Sequence, residues 1–119
     1  MEIDIIEING NNIAVLKSPG VMIRETQDAL DLMAYAGEMK SNRIILNEAQ
    51  ITPEFFDLKT GLAGEILQKF STYDFQLTIV GDFSKYKSKS LRDFIYESNK
   101  YGRINFVSSL EEVKSKLSG

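Results

Sequence analysis

A chain of 119 residues with neither histidine nor cysteine has few chemistries open to it. Thiol catalysis, disulfides, iron–sulfur clusters and the usual zinc sites need those side chains, as do Ser-His-Asp and Cys-His relays. What remains is carboxylates, lysine, tyrosine, or a hard cation on oxygen ligands. The candidate acids are Glu48, Asp57 and Asp82, in "RIILNEA", "FFDLKTGL" and "LTIVGDF". Glu48 and Asp82 follow short apolar runs that read as strands, and Asp57 lies in the segment after the first. Ligands bind at the C-terminal ends of parallel strands, so three acids there could hold Mg2+ or Ca2+. Solvated or capping acids in polar strand-end loops would look the same. Neither "NEAQ" nor "VGDF" matches a dedicated metal motif.

The second candidate is "FFDLKTGLAGEILQKF", residues 55–70. Phe55, Leu58, Leu62, Ala63, Ile66, Leu67 and Phe70 repeat as one apolar helix face. Opposite lie Asp57, Thr60, Gly61, Gly64, Glu65 and Gln68, also spaced by threes and fours. Each glycine weakens a helix interior by about 1 kcal/mol relative to alanine, so two of them ask for a reason. Gly61 could mark a break, with a short turn at 53–58 leading into a helix that starts near Thr60. The small residues could equally form a docking face for a protein partner or a second copy of the chain. A third option is an anion site of helix-start amides and the Thr60 hydroxyl, which Asp57 and Glu65 would oppose by repulsion.

Two further stretches carry polar side chains together. "SKYKSKSLR" gathers Lys85, Lys87, Lys89 and Arg92 around Tyr86, a pattern that can hold a phosphate backbone and stack a base. The net charge of −3 speaks against nucleic acid, and a solvated loop is the simpler reading. "YESNKYGR" places Glu97, Ser98, Asn99 and Arg103 at a helix-to-strand turn, where capping and dipole compensation account for them.

These residues need elements to position them. "IDIIEINGNNIAVL" is two β-rich runs around an Asn-Gly turn, a hairpin signal. A helical segment from Glu25 to about Met39 follows. "RIILNEA", "FQLTIVGD" and "RINFV" read as buried strands. Thr52 and Pro53 start one helix, Ser90 caps another through "LRDFIYESNK", and Ser109 with Glu112 forms a capping box before "LEEVKSKL". The order β-β-α-β-α-β-α-β-α predicts a mostly parallel α/β sheet of about five strands with one antiparallel N-terminal hairpin. Residues 1–119 form one domain on this reading, long enough to bury roughly two-thirds of the unfolded surface. No apolar run reaches the ~20 residues of a membrane span and no signal peptide is evident, so a cytoplasmic protein is expected.

"TPEFFDLKTGLAGEILQKFSTYDFQLTIVGDFS", followed by "LRDFIYESNKYGRINFV", resembles a bacterial family catalogued as domain of unknown function 4180. The resemblance covers nearly the whole chain and implies no particular activity. The element order is also similar to that of STAS domains (sulphate transporter and anti-sigma factor antagonist). In those, an Asp-Ser-Ser-Gly-Leu turn opens a helix after a strand, and the second serine is phosphorylated by a partner kinase. The resemblance implies Asp57 for the aspartate, Thr60 for the phosphorylated serine, and Gly61 and Leu62 after it. "DLKTG" has one residue more than "DSSG" between Asp and Gly, and Lys59 stands where a serine would be.

The function expected is a non-enzymatic regulatory or protein-interaction module without a cofactor, working through 53–70 and switched at Thr60. The alternative is a small-ligand or divalent-metal binding protein, a minor hydrolase included, using Glu48, Asp57 and Asp82.

Overall fold

A computed structural model describes residues 2–118. Five strands form one sheet in the order β1-β2-β3-β4-β5: β1 (Ile3–Ile8), β2 (Asn11–Leu16), β3 (Arg43–Asn47), β4 (Gln76–Val80) and β5 (Ile104–Val107). β1 pairs antiparallel with β2, and β2 to β5 are parallel neighbours. The expected hairpin is present. Asn9 and Gly10 both take positive φ, 52° and 82°, which a two-residue turn of this hand requires.

Parallel neighbours need crossovers, and α1 (Thr26–Glu38), α2 (Leu62–Thr72) and α3 (Lys89–Tyr101) supply them. Such crossovers are almost always right-handed, so a strand order that never reverses puts all three helices on one face. Leu32 and Met33 of α1, Ile66 and Phe70 of α2, and Leu91 of α3 share a core with Ile44, Leu46, Leu77, Ile79 and Phe106 of the strands. α4 (Leu110–Ser118) follows the last strand and packs Val113 on the opposite face, against Ile13, Val15, Ile45 and Val107. Among the described residues, no helix is long and apolar enough to cross a membrane.

Capping chemistry sets most boundaries. Ser109 Oγ accepts from the Glu112 amide at 3.2 Å, and Glu112 Oε2 accepts from the Ser108 amide at 2.9 Å, close to the expected box. At α3 the cap is Ser88, not Ser90: its Oγ accepts from Leu91 N–H at 3.2 Å. Lysine is a good helix former, so the helix extends back to Lys89 once a serine two positions earlier can cap it. Asn99 does more than close its turn. Its amide donates to Phe106 O at 3.2 Å and its Oδ1 accepts from Phe106 N–H at 2.7 Å. A side chain thus occupies the outer edge of β5, where another strand could otherwise pair.

Gln50, which the sequence does not single out, ties the C-terminal edge of the sheet. Its Nε2 donates to Leu16 O at 3.1 Å and Ser18 O at 2.8 Å, and its Oε1 accepts from Asn47 N–H at 2.8 Å. The side chain is buried, so removing it leaves the Leu16 and Ser18 carbonyls unsatisfied in buried surroundings and takes a partner from the part-buried Asn47 amide. Gln50→Ala is expected to destabilise the fold by about 2 kcal/mol or more, read as a lower urea midpoint at unchanged m-value.

Candidate functional site

Residues 53–70 are not one helix. Pro53–Phe56 and Leu58–Thr60 are 3₁₀ turns, and α2 begins only at Leu62. Thr52 Oγ1 accepts from the Glu54 amide at 3.4 Å, and Asp57 Oδ1 accepts from the Lys59 amide at 3.2 Å. The Thr60 hydroxyl lies 2.9 Å from both the Glu54 and Asp57 carbonyl oxygens and accepts from Leu62 N–H at 3.3 Å. Gly61 then turns the chain with φ of 78°. That conformation costs an L-residue roughly 1–2 kcal/mol, which explains the first glycine by backbone geometry alone. The break reading of Gly61 is the one realised, with the helix starting two residues later than expected.

The six face residues therefore split. Gly64, Glu65 and Gln68 lie on the outward side of α2, whereas Asp57, Thr60 and Gly61 form the turn leading into it. All six are exposed. Nothing lies within 4 Å of where a Cβ would stand at Gly61 or Gly64, so the strip is not filled by the molecule's own atoms. Gly64 has no conformational reason to be glycine; its backbone is ordinary helix in open space. The strip is bounded on one side by α1, where Thr26 Oγ1 donates to Glu65 Oε2 at 2.8 Å. A shallow depression of about 390 Å3 lies there, with Arg24, Thr26, Thr60 and Glu65 in its walls.

On the other side, α2 and α3 leave a groove of about 460 Å3. Leu67 and Ser71 of α2 line it, each three residues beyond Gly64 and Gln68. Phe94 and Tyr101 of α3 and Ile104 of β5 complete an apolar wall. The sequence reading missed this groove. Its signal was Tyr101 continuing the Leu91–Phe94–Ser98 stripe past what the core uses: Leu91 is buried and Tyr101 is 86 % exposed.

The three acids do not converge. Among the described residues, no group of three or more Asp or Glu side chains could hold a metal ion, which corrects the cation site expected of Glu48, Asp57 and Asp82. Each is used locally. Asp57 caps its turn, and Asp82 Oδ1 accepts from the Ser84 hydroxyl at 2.6 Å and amide at 3.1 Å. Those Ser84 bonds hold the Asp82 carboxyl below the usual carboxylate range.

Glu48 is the most constrained, with its side chain 17 % exposed. Tyr86 O–H donates to its Oε2 at 2.6 Å, and Lys85 Nζ sits 2.7 Å from the same atom. A Cβ at Gly81 would stand 2.8 Å from both Glu48 Cβ and Oε1, so Gly81 makes room for this carboxylate. The Tyr86 ring stacks on Phe56 with centroids 5.0 Å apart. The loop after β4 is therefore folded onto the strand ends, in the place where a ligand would enter an open α/β sheet.

That arrangement also removes the basic-loop reading of 85–92. Lys85 pairs with Glu48, Lys89 pairs with Asp93 at 2.7 Å, and the face of Tyr86 is taken by Phe56. Lys87 and Arg92 are left as exposed charges. At the 97–103 turn, Ser98 is buried, Gly102 closes the helix with φ of 84°, and Arg103 bonds Asp74 at 3.0 Å and Phe75 O at 3.0 Å. Capping and cross-linking account for that stretch, as expected.

A family model described as domain of unknown function (DUF4180) matches residues 8–117. No curated protein and no solved structure matches the chain.

The two glycines should respond oppositely to alanine. Gly61→Ala is expected to lose about 1–2 kcal/mol of stability from its left-handed φ. Gly64→Ala should gain up to ~1 kcal/mol, because an exposed helix interior favours alanine. Paired urea denaturation curves measure both.

Burial, and then the bond to Glu48, raises the Tyr86 hydroxyl well above the ordinary tyrosine range. A folded-state value above the unfolded one leaves stability intact below about pH 10 and erodes it as pH climbs further. Absorbance titration at alkaline pH should show one of the five tyrosines ionising late, and Tyr86→Phe should delete that late component.

Proposed function

As the chain belongs to the domain-of-unknown-function family DUF4180, we propose that it is a non-enzymatic regulatory module that docks a protein through the start of α2 and the groove beside it. One observation carries this reading: the second glycine. Gly64 lies in regular helix, exposed, with nothing within 4 Å of its missing side chain, so neither fold nor packing asks for it. A contact with another backbone does ask for it, since the absent side chain lets a partner approach closely. Gln68 and Glu65 flank it with directional hydrogen-bonding groups, and the Leu67–Phe94–Tyr101 groove offers apolar area next to the same helix. Interfaces commonly combine an apolar core containing aromatic residues with a polar rim.

Thr60 is the point at which such docking is switched. Its position between a strand and the first turn of the next helix supports the likeness to the STAS phosphorylation turn. Phosphorylation would remove the hydroxyl proton that reaches the Glu54 and Asp57 carbonyls and add about −1.5 to −2 charges beside Glu54, Asp57 and Glu65. The turn would then reorganise and the adjoining strip would lose its shape.

Affinity purification of the intact protein from its native cell tests both statements. Gly64→Leu adds bulk to an open helix surface and should leave the circular dichroism melt at or above that of the wild type, leucine being a better helix former than glycine. Recovery of the partner should nevertheless fall about tenfold, the effect of losing ~1.4 kcal/mol at an interface. Thr60→Glu should release the partner while Thr60→Ala keeps it. Equal recovery by folded Gly64→Leu protein sinks the docking face, and equal recovery by both Thr60 variants sinks the switch. Sedimentation of purified protein, with and without Gly64→Leu, identifies a second copy as the partner.

A further inference from the structure

The sheet face opposite α1, α2 and α3 is only partly covered. Parallel strands are normally buried on both faces, and β2 to β5 are parallel, yet among the described residues α4 is the one helix on this side. Toward the first residues of β3 and β4 this face carries a groove of about 450 Å3, and the polar residues along it are only half-buried.

Arg43, Gln76, Thr78 and Asn105 line this groove. Strand register sets Arg43 beside Gln76, and Thr78 between Ile45 and Asn105, all on one face. Among the described residues, the half-buried Arg43 guanidinium has no ion pair and no hydrogen bond. The Gln76 side-chain amide and Thr78 hydroxyl are likewise without partners among the described residues. Asn105 donates to Gly102 O at 2.8 Å, leaving its own carbonyl oxygen unused. Among the described residues no acid lines the groove, although the chain carries 17 acidic residues against 14 basic ones. Its other wall is apolar, built from Ile45, Val107 and Val113.

We propose that this groove binds a small amphipathic carboxylate, its head on Arg43, Gln76 and Thr78 and its short apolar body along Ile45, Val107 and Val113. Guanidinium receives a carboxylate through two parallel N–H···O bonds, the geometry in which arginine surpasses lysine. The volume is in the range of small-molecule sites, which combine apolar walls with a few placed polar groups. A phosphate dianion fits less well. Among the described residues that line it Arg43 is the one cation, and the C-terminus of α3 brings partial negative charge to the rim at Gly102. None of these residues lies on the outward side of α2, so this site and the docking face stand or fall separately.

Amide shifts in the 15N-labelled full-length protein test the assignment, with sodium octanoate below its micelle concentration as the probe. Saturable shifts are expected at Arg43, Thr78, Asn105 and Val113. Matched 1-octanol and inorganic phosphate should each give much weaker effects there. Arg43→Gln should weaken octanoate binding about tenfold or more, the usual worth of a charge-assisted bond, and Arg43→Lys should fall between. Thr78→Val supplies a second reading of the same head-group contact, should the arginine variant fail to fold. The assignment is overturned by octanoate shifts that do not saturate or lie elsewhere. It is equally overturned by octanol or phosphate binding as well as octanoate, or by folded Arg43→Gln or Thr78→Val binding like the wild type.

Discussion

The handedness of the parallel crossover governs this molecule. Four neighbouring strands that never reverse order force α1, α2 and α3 onto one face, because a right-twisted strand feeding a right-handed helix packs back only that way. Each helix then has an inner side committed to the sheet and an outer side with nothing to cover it. The outer side of α2 is the least furnished, with Gly64 at its centre. The same constraint leaves the reverse face to α4, which packs Val113 against it.

The C-terminal edge of the sheet follows different physics. In an open α/β sheet that edge is the usual ligand crevice. Here the chain's own side chains occupy much of it, leaving a shallow depression of about 290 Å3 walled by Glu48, Ile51, Phe56, Lys85 and Tyr86. Gln50 spans from β3 to the end of β2, and the loop after β4 brings Tyr86 and Lys85 onto Glu48 while Phe56 stacks beneath. Gly81 shows how tightly this is built, since even a methyl group there would collide with the glutamate. Polar groups that could have formed a binding site are satisfied among themselves, and no buried side-chain polar atom among the described residues lacks a partner. The proposed recognition surfaces lie instead on the helix surface and the reverse face, where side-chain groups without partners among the described residues remain.

The match to DUF4180 spans β2 to β5, their helices and both surfaces, with β1 lying almost wholly before it. The two glycines of 55–70 show why similar residues in one motif need separate explanations. Gly61 answers a backbone demand, a left-handed turn that lets two 3₁₀ turns end and a helix begin. Gly64 answers none, and for that reason it carries the functional reading.

Local rules made much of the architecture legible in the sequence. The Asn-Gly hairpin, the apolar strand runs, and the Leu62–Ala63–Ile66–Phe70 stripe are set by near neighbours, through turn geometry and periodicity. So was the absence of imidazole and thiol chemistry. Tertiary structure alone decided what the polar residues do. Glu48, 38 positions from Tyr86, became half of a clamp and not a metal ligand, and Asn99 became a substitute for a neighbouring strand. Arg43, Gln76 and Thr78 became neighbours only through strand register. Backbone periodicity is written residue by residue, whereas a side chain's partners depend on which distant segments the sheet brings beside it.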